Sequence, residues 1–377
     1  MMRFFVSIMV MFYCQSLFAQ TPTRWTPALM MKFKRVGSTA VSPDGRMVAF
    51  TVSTALMEGE KSEFLSQIWV AGPDSAPKMN RQSITGDCSS TAPSVSPDGR
   101  SLACLRLSGS VGKRQVWTVP VFGGSPVMRT NAPGGVTSFA YSPDGSRIAF
   151  TSADPATPEE EKNKKEKRDM VVVGASWKRA HLYVVSLSDT AAVRLTSGAF
   201  HVTSFDWSPD GATIVFEHQP TTSPDDWLDT DISTVPSRGG AVTPLVARKG
   251  SDRYPHYSPD GAPVAFVSDG GEPNWALTSD VWTIPSRGGE PKRLPLTPDR
   301  SFTYYGSFLG WSADGKSLYV NEASHVYWSV FTVPLEGAVR RFTTDASSFS
   351  EVSLNRDGRF MAFVRQTSRR LFVAAAC

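Results

Sequence analysis

The sequence predicts an all-β fold, a seven-bladed β-propeller of four-stranded antiparallel blades whose seventh blade is incomplete. Three observations carry this. A four-residue turn recurs seven times, each copy is followed by a short wholly apolar stretch, and further on in most units an aromatic residue sits at the centre of a second strand-like stretch.

Five copies of the turn are intact: Ser42-Pro43-Asp44-Gly45, Ser96-Pro97-Asp98-Gly99, Ser142-Pro143-Asp144-Gly145, Ser208-Pro209-Asp210-Gly211 and Ser258-Pro259-Asp260-Gly261. Two are degenerate, Ser312-Ala313-Asp314-Gly315 and Asn355-Arg356-Asp357-Gly358. Pro presets φ, Asp tolerates the next position and Gly takes the positive φ that closes a hairpin. From Asp44 to Asp357 the turn-to-turn spacings are 54, 46, 66, 50, 54 and 43 residues, close to the period of about 40–50 residues found in propellers.

After the turns come Val48-Ala49-Phe50, Leu102-Ala103-Cys104, Ile148-Ala149-Phe150, Ile214-Val215-Phe216, Val264-Ala265-Phe266, Leu318-Tyr319-Val320 and Met361-Ala362-Phe363. A strand without polar alternation is covered on both faces, as sheets stacked around a ring require. The aromatics Trp69, Trp117, Tyr183, Trp282, Phe331 and Phe372, with Ser233 in the fourth unit, are assigned to the gaps between blades. Cys104 stands where five other units have Phe, which makes it a buried, inert thiol. Gly-rich turns such as Phe122-Gly123-Gly124 and Arg287-Gly288-Gly289 then lead into a fourth strand.

Outside this pattern, residues 1–20 read as a secretory signal: Arg3 precedes the apolar run Phe4–Tyr13, and Leu17-Phe18-Ala19 offers a cleavage site. Ten apolar residues span about half a bilayer core, so a transmembrane anchor is the weaker reading. A lipid anchor at Cys14 is weaker still, because bulky Phe12-Tyr13 precede it. The expected location is therefore secreted or periplasmic, with no membrane contact once the signal is removed. Residues 21–36 form an N-terminal segment in which Pro27–Phe33 reads as a short helix opened by Thr26, and 37–377 the propeller. The run Glu159–Arg168 reads as a protruding, solvated loop. The seventh unit lacks a fourth strand. The preferred reading is that the chain is part of a longer protein; the alternative is that Trp25–Val36 completes the blade.

Chemistry-bearing motifs are scarce. A net charge of +4 over 377 residues argues against a nucleic-acid partner. No Gly-x-Ser-x-Gly nucleophile elbow occurs; the nearest string, Gly310-Trp311-Ser312-Ala313-Asp314, is already a hairpin turn. His181, His201, His218, His256 and His325 do not fall at metal-ligand spacing, and Asp225, Asp226, Asp229 and Asp231 lack the Gly and final Glu of a calcium loop. No catalytic, cofactor-binding or metal-ligating residue is assigned, no cofactor is expected, and the substrate-binding residues are left open.

Three stretches carry a family resemblance: Asp225-Asp226-Trp227-Leu228-Asp229-Thr230-Asp231-Ile232, Trp177 with His181-Leu182-Tyr183-Val184-Val185, and Arg35-Val36 ahead of the first turn. They are similar to segments in the propellers of dipeptidyl aminopeptidase/acylaminoacyl-peptidase relatives of prolyl oligopeptidase. The resemblance implies a propeller that restricts peptide access to an α/β-hydrolase domain. That domain is the implied partner and peptides are the implied substrates of the parent enzyme, while this chain ends where the domain is expected to begin. The alternative is a stand-alone periplasmic scaffold like the Tol-type propellers, which share the repeat but usually have six blades; a glycan-cleaving propeller is a third reading.

Overall fold

Residues 26–58, 61–72, 81–84, 88–110, 112–168, 174, 177–189, 191–271, 278–300, 307–367 and 371–376 are described in a computed structural model. The signal sequence expected at 1–20 lies outside them.

The first blade comprises β1 (Arg35–Val41), β2 (Val48–Glu58), β3 (Lys61–Ala71) and β4 (Arg81–Ile84). The second is β5 (Ser90–Val95), β6 (Ser101–Leu107), β7 (Arg114–Pro120) and β8 (Val127–Met128), and the third β9 (Val136–Tyr141), β10 (Arg147–Ala153), β11 (Ala180–Ser186) and β12 (Ala192–Arg194). The fourth is β13 (His201–Trp207), β14 (Thr213–Gln219), β15 (Asp231–Pro236) and β16 (Thr243–Val246), and the fifth β17 (Asp252–Tyr257), β18 (Pro263–Ser268), β19 (Asp280–Pro285) and β20 (Lys292–Arg293). The sixth is β21 (Ser307–Trp311), β22 (Ser317–Ser324), β23 (Tyr327–Pro334) and β24 (Arg340–Arg341). Each is an antiparallel meander in chain order.

The described residues thus form an all-β propeller of six four-stranded blades, which corrects the seven expected. The last copy of the turn belongs to a three-stranded sheet, β25 (Ser348–Leu354), β26 (Met361–Gln366) and β27 (Leu371–Ala376). The reason is local. Each repeat turn joins only the first and second strands of a unit, so counting turns counts hairpins rather than completed blades. Blade number consequently does not separate this chain from Tol-type propellers. Among the described residues, 26–34 add no strand to the three-stranded sheet; Pro27–Met30 forms helix α1, with Thr26 Oγ1 accepting from Leu29 N at 3.1 Å.

The repeat turn works through side chains. Ser42 Oγ donates to Asp44 Oδ1 at 2.6 Å and accepts from Met47 N, while Gly45 N donates to Ser42 O with φ +69°. The same Ser-to-Asp bond recurs at 96/98, 142/144, 208/210, 258/260 and 312/314. Behind the turns, Ile148, Ala149, Phe150, Ile214, Val215, Phe216, Val264, Ala265 and Phe266 are buried, each large side chain contributing about 1.5–3 kcal/mol.

Packing joins neighbours around the ring: Ala149 and Val184 meet Trp207 and Phe216 of the next blade, and Phe349, Met361 and Phe363 of the three-stranded sheet meet Val330 of the sixth. On the sheet's other side Ala362 and Phe360 meet Val41, Val48 and Phe50 of the first blade. Trp69, Trp117, Tyr183, Trp282 and Phe331 all pack against such shared clusters. The Phe372 side chain lies outside the described residues.

The charged run expected as a loop contains helix α2 (Pro158–Lys165). Thr157 and Glu160 form a reciprocal capping box ahead of it, and Pro158 occupies the first helical position. No helix among the described residues is long and apolar enough to cross a membrane.

Candidate functional site: the wall of the central channel

First strands of neighbouring sheets pack on one another. β1 packs on β5 and β25, β13 on β17, and β17 on β21. These strands cannot bury both faces, and their middles are exposed at Thr137, Ser138, Thr203, Ser350 and Glu351. They line the central channel.

Each of these inner strands also breaks register against its neighbour. In three of them the extra residue has a left-handed backbone: Ala92 (φ +51°), Tyr254 (φ +54°) and Glu351 (φ +49°). Such bulges re-aim side chains and collect near functional sites. Pro93 and Pro255 follow two of them, and a Pro inside a strand is itself a bulge signal.

At the seam between the three-stranded sheet and the first blade, Ser38, Thr39, Asn321, Glu351 and Val352 line a pocket of about 340 Å³. Its floor is fixed by hydrogen bonds. Buried Thr39 Oγ1 donates to Glu351 O, and Asn321 Nδ2 donates to Phe349 O at 3.1 Å and Ser329 O at 3.3 Å. The Glu351 backbone is pinned while its side chain stays exposed, leaving an anionic group on a rigid polar wall.

A second charged group spans the fourth and fifth blades. Glu217, its side chain 1% exposed, accepts from Ser204 Oγ at 2.8 Å and Tyr254 N at 2.9 Å, and its Oε1 lies 3.5 Å from Arg253 Nε. Arg253 Nη2 donates to Tyr254 Oη at 2.8 Å, and its guanidinium sits over the Tyr254 ring at 4.7 Å and the Trp227 ring at 5.8 Å. Nearby, Arg248 and Asp252 pair, as do Arg300 and Asp280 with bonds of 2.7 and 2.8 Å. These pairs tie the inter-blade connections to the strand ends.

The residues weighed from sequence do not converge. His181 is buried, and burial pushes its pKa down to about 4. His201 Nδ1 accepts from Ala180 N at 2.8 Å, His218 Nε2 bonds Ser233 Oγ at 2.9 Å, His256 lies 3.7 Å from Asp206, and His325 occupies a left-handed turn position. Asp225, Asp226 and Asp229 fall in the 3₁₀ segment Pro224–Asp229, where Asp226 accepts from Thr221 Oγ1. Asp231 opens β15, its pKa raised to about 6 by burial and then by Asp252. Among the described residues no group of three or more His, Cys, Asp or Glu is arranged to hold a metal ion. Ser312 donates to Asp314 within its turn. Cys104 is fully buried, and burial raises its thiol to about 12.

The fold and wall define a β-propeller with a bulged, polar channel. No protein-family model matches the chain. Dipeptidyl-peptidase 5 of Porphyromonas gingivalis is 24% identical over 365 residues, covering 88% of this chain and 51% of the relative. The chain thus spans about half the length of that curated relative. Among solved structures, Pyrococcus horikoshii acylaminoacyl peptidase matches with TM-score 0.68 at 16% identity, over 93% of this chain and 53% of that one. The β-propeller domain of the Trilobed protease from Pyrococcus furiosus matches with TM-score 0.63 at 13% identity, over 92% of this chain and 97% of that one. At such identity the structures speak to the fold alone. The chain has homologues named dipeptidyl-peptidase 5, and it is consistent with a propeller domain of the prolyl oligopeptidase family.

Proposed function

We propose that this chain is the non-catalytic propeller of an exported serine peptidase of the prolyl oligopeptidase type, gating peptide access to an α/β-hydrolase domain. One observation carries the reading: a curated peptidase aligns with 88% of this chain but only about half of itself. The matched half accounts for blades, and a hydrolase sheet requires strands alternating with helices, an alternation that the meanders described above do not contain. A rigid ring with a narrow polar passage admits extended peptides and turns away folded chains.

Labelling of the purified chain with a fluorophosphonate tests the non-catalytic part. No serine is expected to react, and stoichiometric modification of any serine overturns it. Export is tested by expressing the chain with residues 1–20 and reading the mature N-terminus. Recovery in the cytosol with those residues intact counts against a signal.

A further inference from the structure

The last copy of the repeat turn departs from the others where it matters for the channel. Its second position holds Arg356, where five turns hold Pro and the sixth holds Ala313. The turn itself is unchanged: Gly358 N donates to Asn355 O at 3.0 Å and Gly358 has φ +69°, the value found at Gly45. The substitution therefore serves something other than the turn.

Arg356 Nη2 donates to Trp207 O at 2.9 Å and lies 3.5 Å from Ser208 O. Those carbonyls end β13 and begin the repeat turn of the fourth blade. The fifth and sixth blades separate the two partners on one side of the ring, and the first, second and third on the other. A side chain joining them has to cross the axis. The crossing lies at the face bearing the repeat turns, away from the inter-blade connections and α2. Guanidinium suits this task because its fork presents several donors to more than one carbonyl. The residue is exposed and its hydrogen bonds go to backbone oxygens, with its charge also acting on the nearby Asp206 carboxylate.

We propose that Arg356 is a bar across the turn-face mouth of the channel, which obstructs the passage of bulky solutes through that mouth to the inner wall. This goes beyond the gating reading by naming the shut mouth and the residue that shuts it. It concerns the channel of this chain and stands or falls independently of any peptidase partner.

The test places a reporter thiol on the inner wall with Ser138→Cys, after Cys14→Ser, Cys88→Ser and Cys377→Ser. Its reaction with a small methanethiosulfonate and with a polyethylene-glycol maleimide is timed with Arg356 present, with Arg356→Pro and with Arg356→Ala. Both replacements occur naturally at this position of other turns, and near-UV circular dichroism checks folding. A several-fold faster reaction with the bulky reagent in both variants, with the small reagent little changed, is expected. Equal bulky-reagent rates overturn the proposal. Loss of the fold in both variants also overturns it, by making Arg356 a brace and not a removable bar.

Discussion

Thr39 and Glu351, 312 residues apart in sequence, are joined by a hydrogen bond from Thr39 Oγ1 to Glu351 O at 2.5 Å. The same hydroxyl lies 2.8 Å from Ser353 Oγ and 3.3 Å from Ala362 O. At the turn face Asn355 Nδ2 donates to Pro43 O at 3.1 Å. The three-stranded sheet is thereby fastened to the first blade through side chains, where an antiparallel ladder is not available.

Replacing Thr39 by Val keeps the shape but strips a buried seam of its donor. A loss of about 1–3 kcal/mol is expected from leaving a buried acceptor unpaired, read as a lower urea midpoint. Thr39→Ser keeps the hydroxyl and should recover most of that loss. An unchanged midpoint for Thr39→Val would show that the seam does not depend on this contact.

Gly45 and Gly99 share the left-handed backbone, at φ +69° and +71°, but differ in surroundings. A methyl on Gly45 would lie 2.4 Å from the Phe360 ring, whereas nothing lies within 4 Å at Gly99. Gly99→Ala should cost about 1–2 kcal/mol for backbone alone. Gly45→Ala should cost more, and equal losses in thermal denaturation would remove the Phe360 contact from the account.

Acid stability should fall in two stages. Burial holds His181 at about 4 against an ordinary 6.5, so the unfolded chain binds the extra proton first, and stability drains as pH falls from 6.5 through 4. Asp144 is held down at about 2 against 3.8, by the Ser142 hydroxyl first and then the Ser146 hydroxyl and amide. Its contribution, present above pH 3.8, is lost as pH falls through 2. Asp44, Asp98, Asp210, Asp260 and Asp314 are lowered in the same direction by their own turn serines. Melting temperature against pH should show both stages, and His181→Gln should lessen only the first, to which the lowered His201 and His218 also contribute and which the raised Asp231 opposes.

Arg253 and Glu217 test the charged group between the fourth and fifth blades. Removing one partner of a fully buried pair costs about 3–5 kcal/mol. Arg253 is 21% exposed, so Arg253→Leu should cost less than that range. Adding Glu217→Gln should restore part of the loss, because the amide oxygen still accepts from Ser204 while no charge is left buried. A double variant no better than Arg253→Leu would assign the loss to packing of the guanidinium on Tyr254 and Trp227.

Much of the frame was legible in sequence because its causes are local. A Ser, an Asp and a Gly at fixed offsets make the turn wherever they occur, and Ile214-Val215-Phe216 has no polar face to offer water. The capping box at Thr157 and Glu160 was equally local, yet the charge run drew the reading to a loop. Pro93 and Pro255 were signals for bulges that the repeat pattern obscured.

By itself, then, the sequence determined the hairpins, the doubly covered second strands and the aromatics between sheets, all announced by residue types at fixed offsets within one unit. Tertiary structure alone decided that Thr39 meets Glu351 and that Arg356 reaches Trp207. Those outcomes depend on how the units curve round to meet one another. Partners more than a hundred residues apart become neighbours only when the ring has formed.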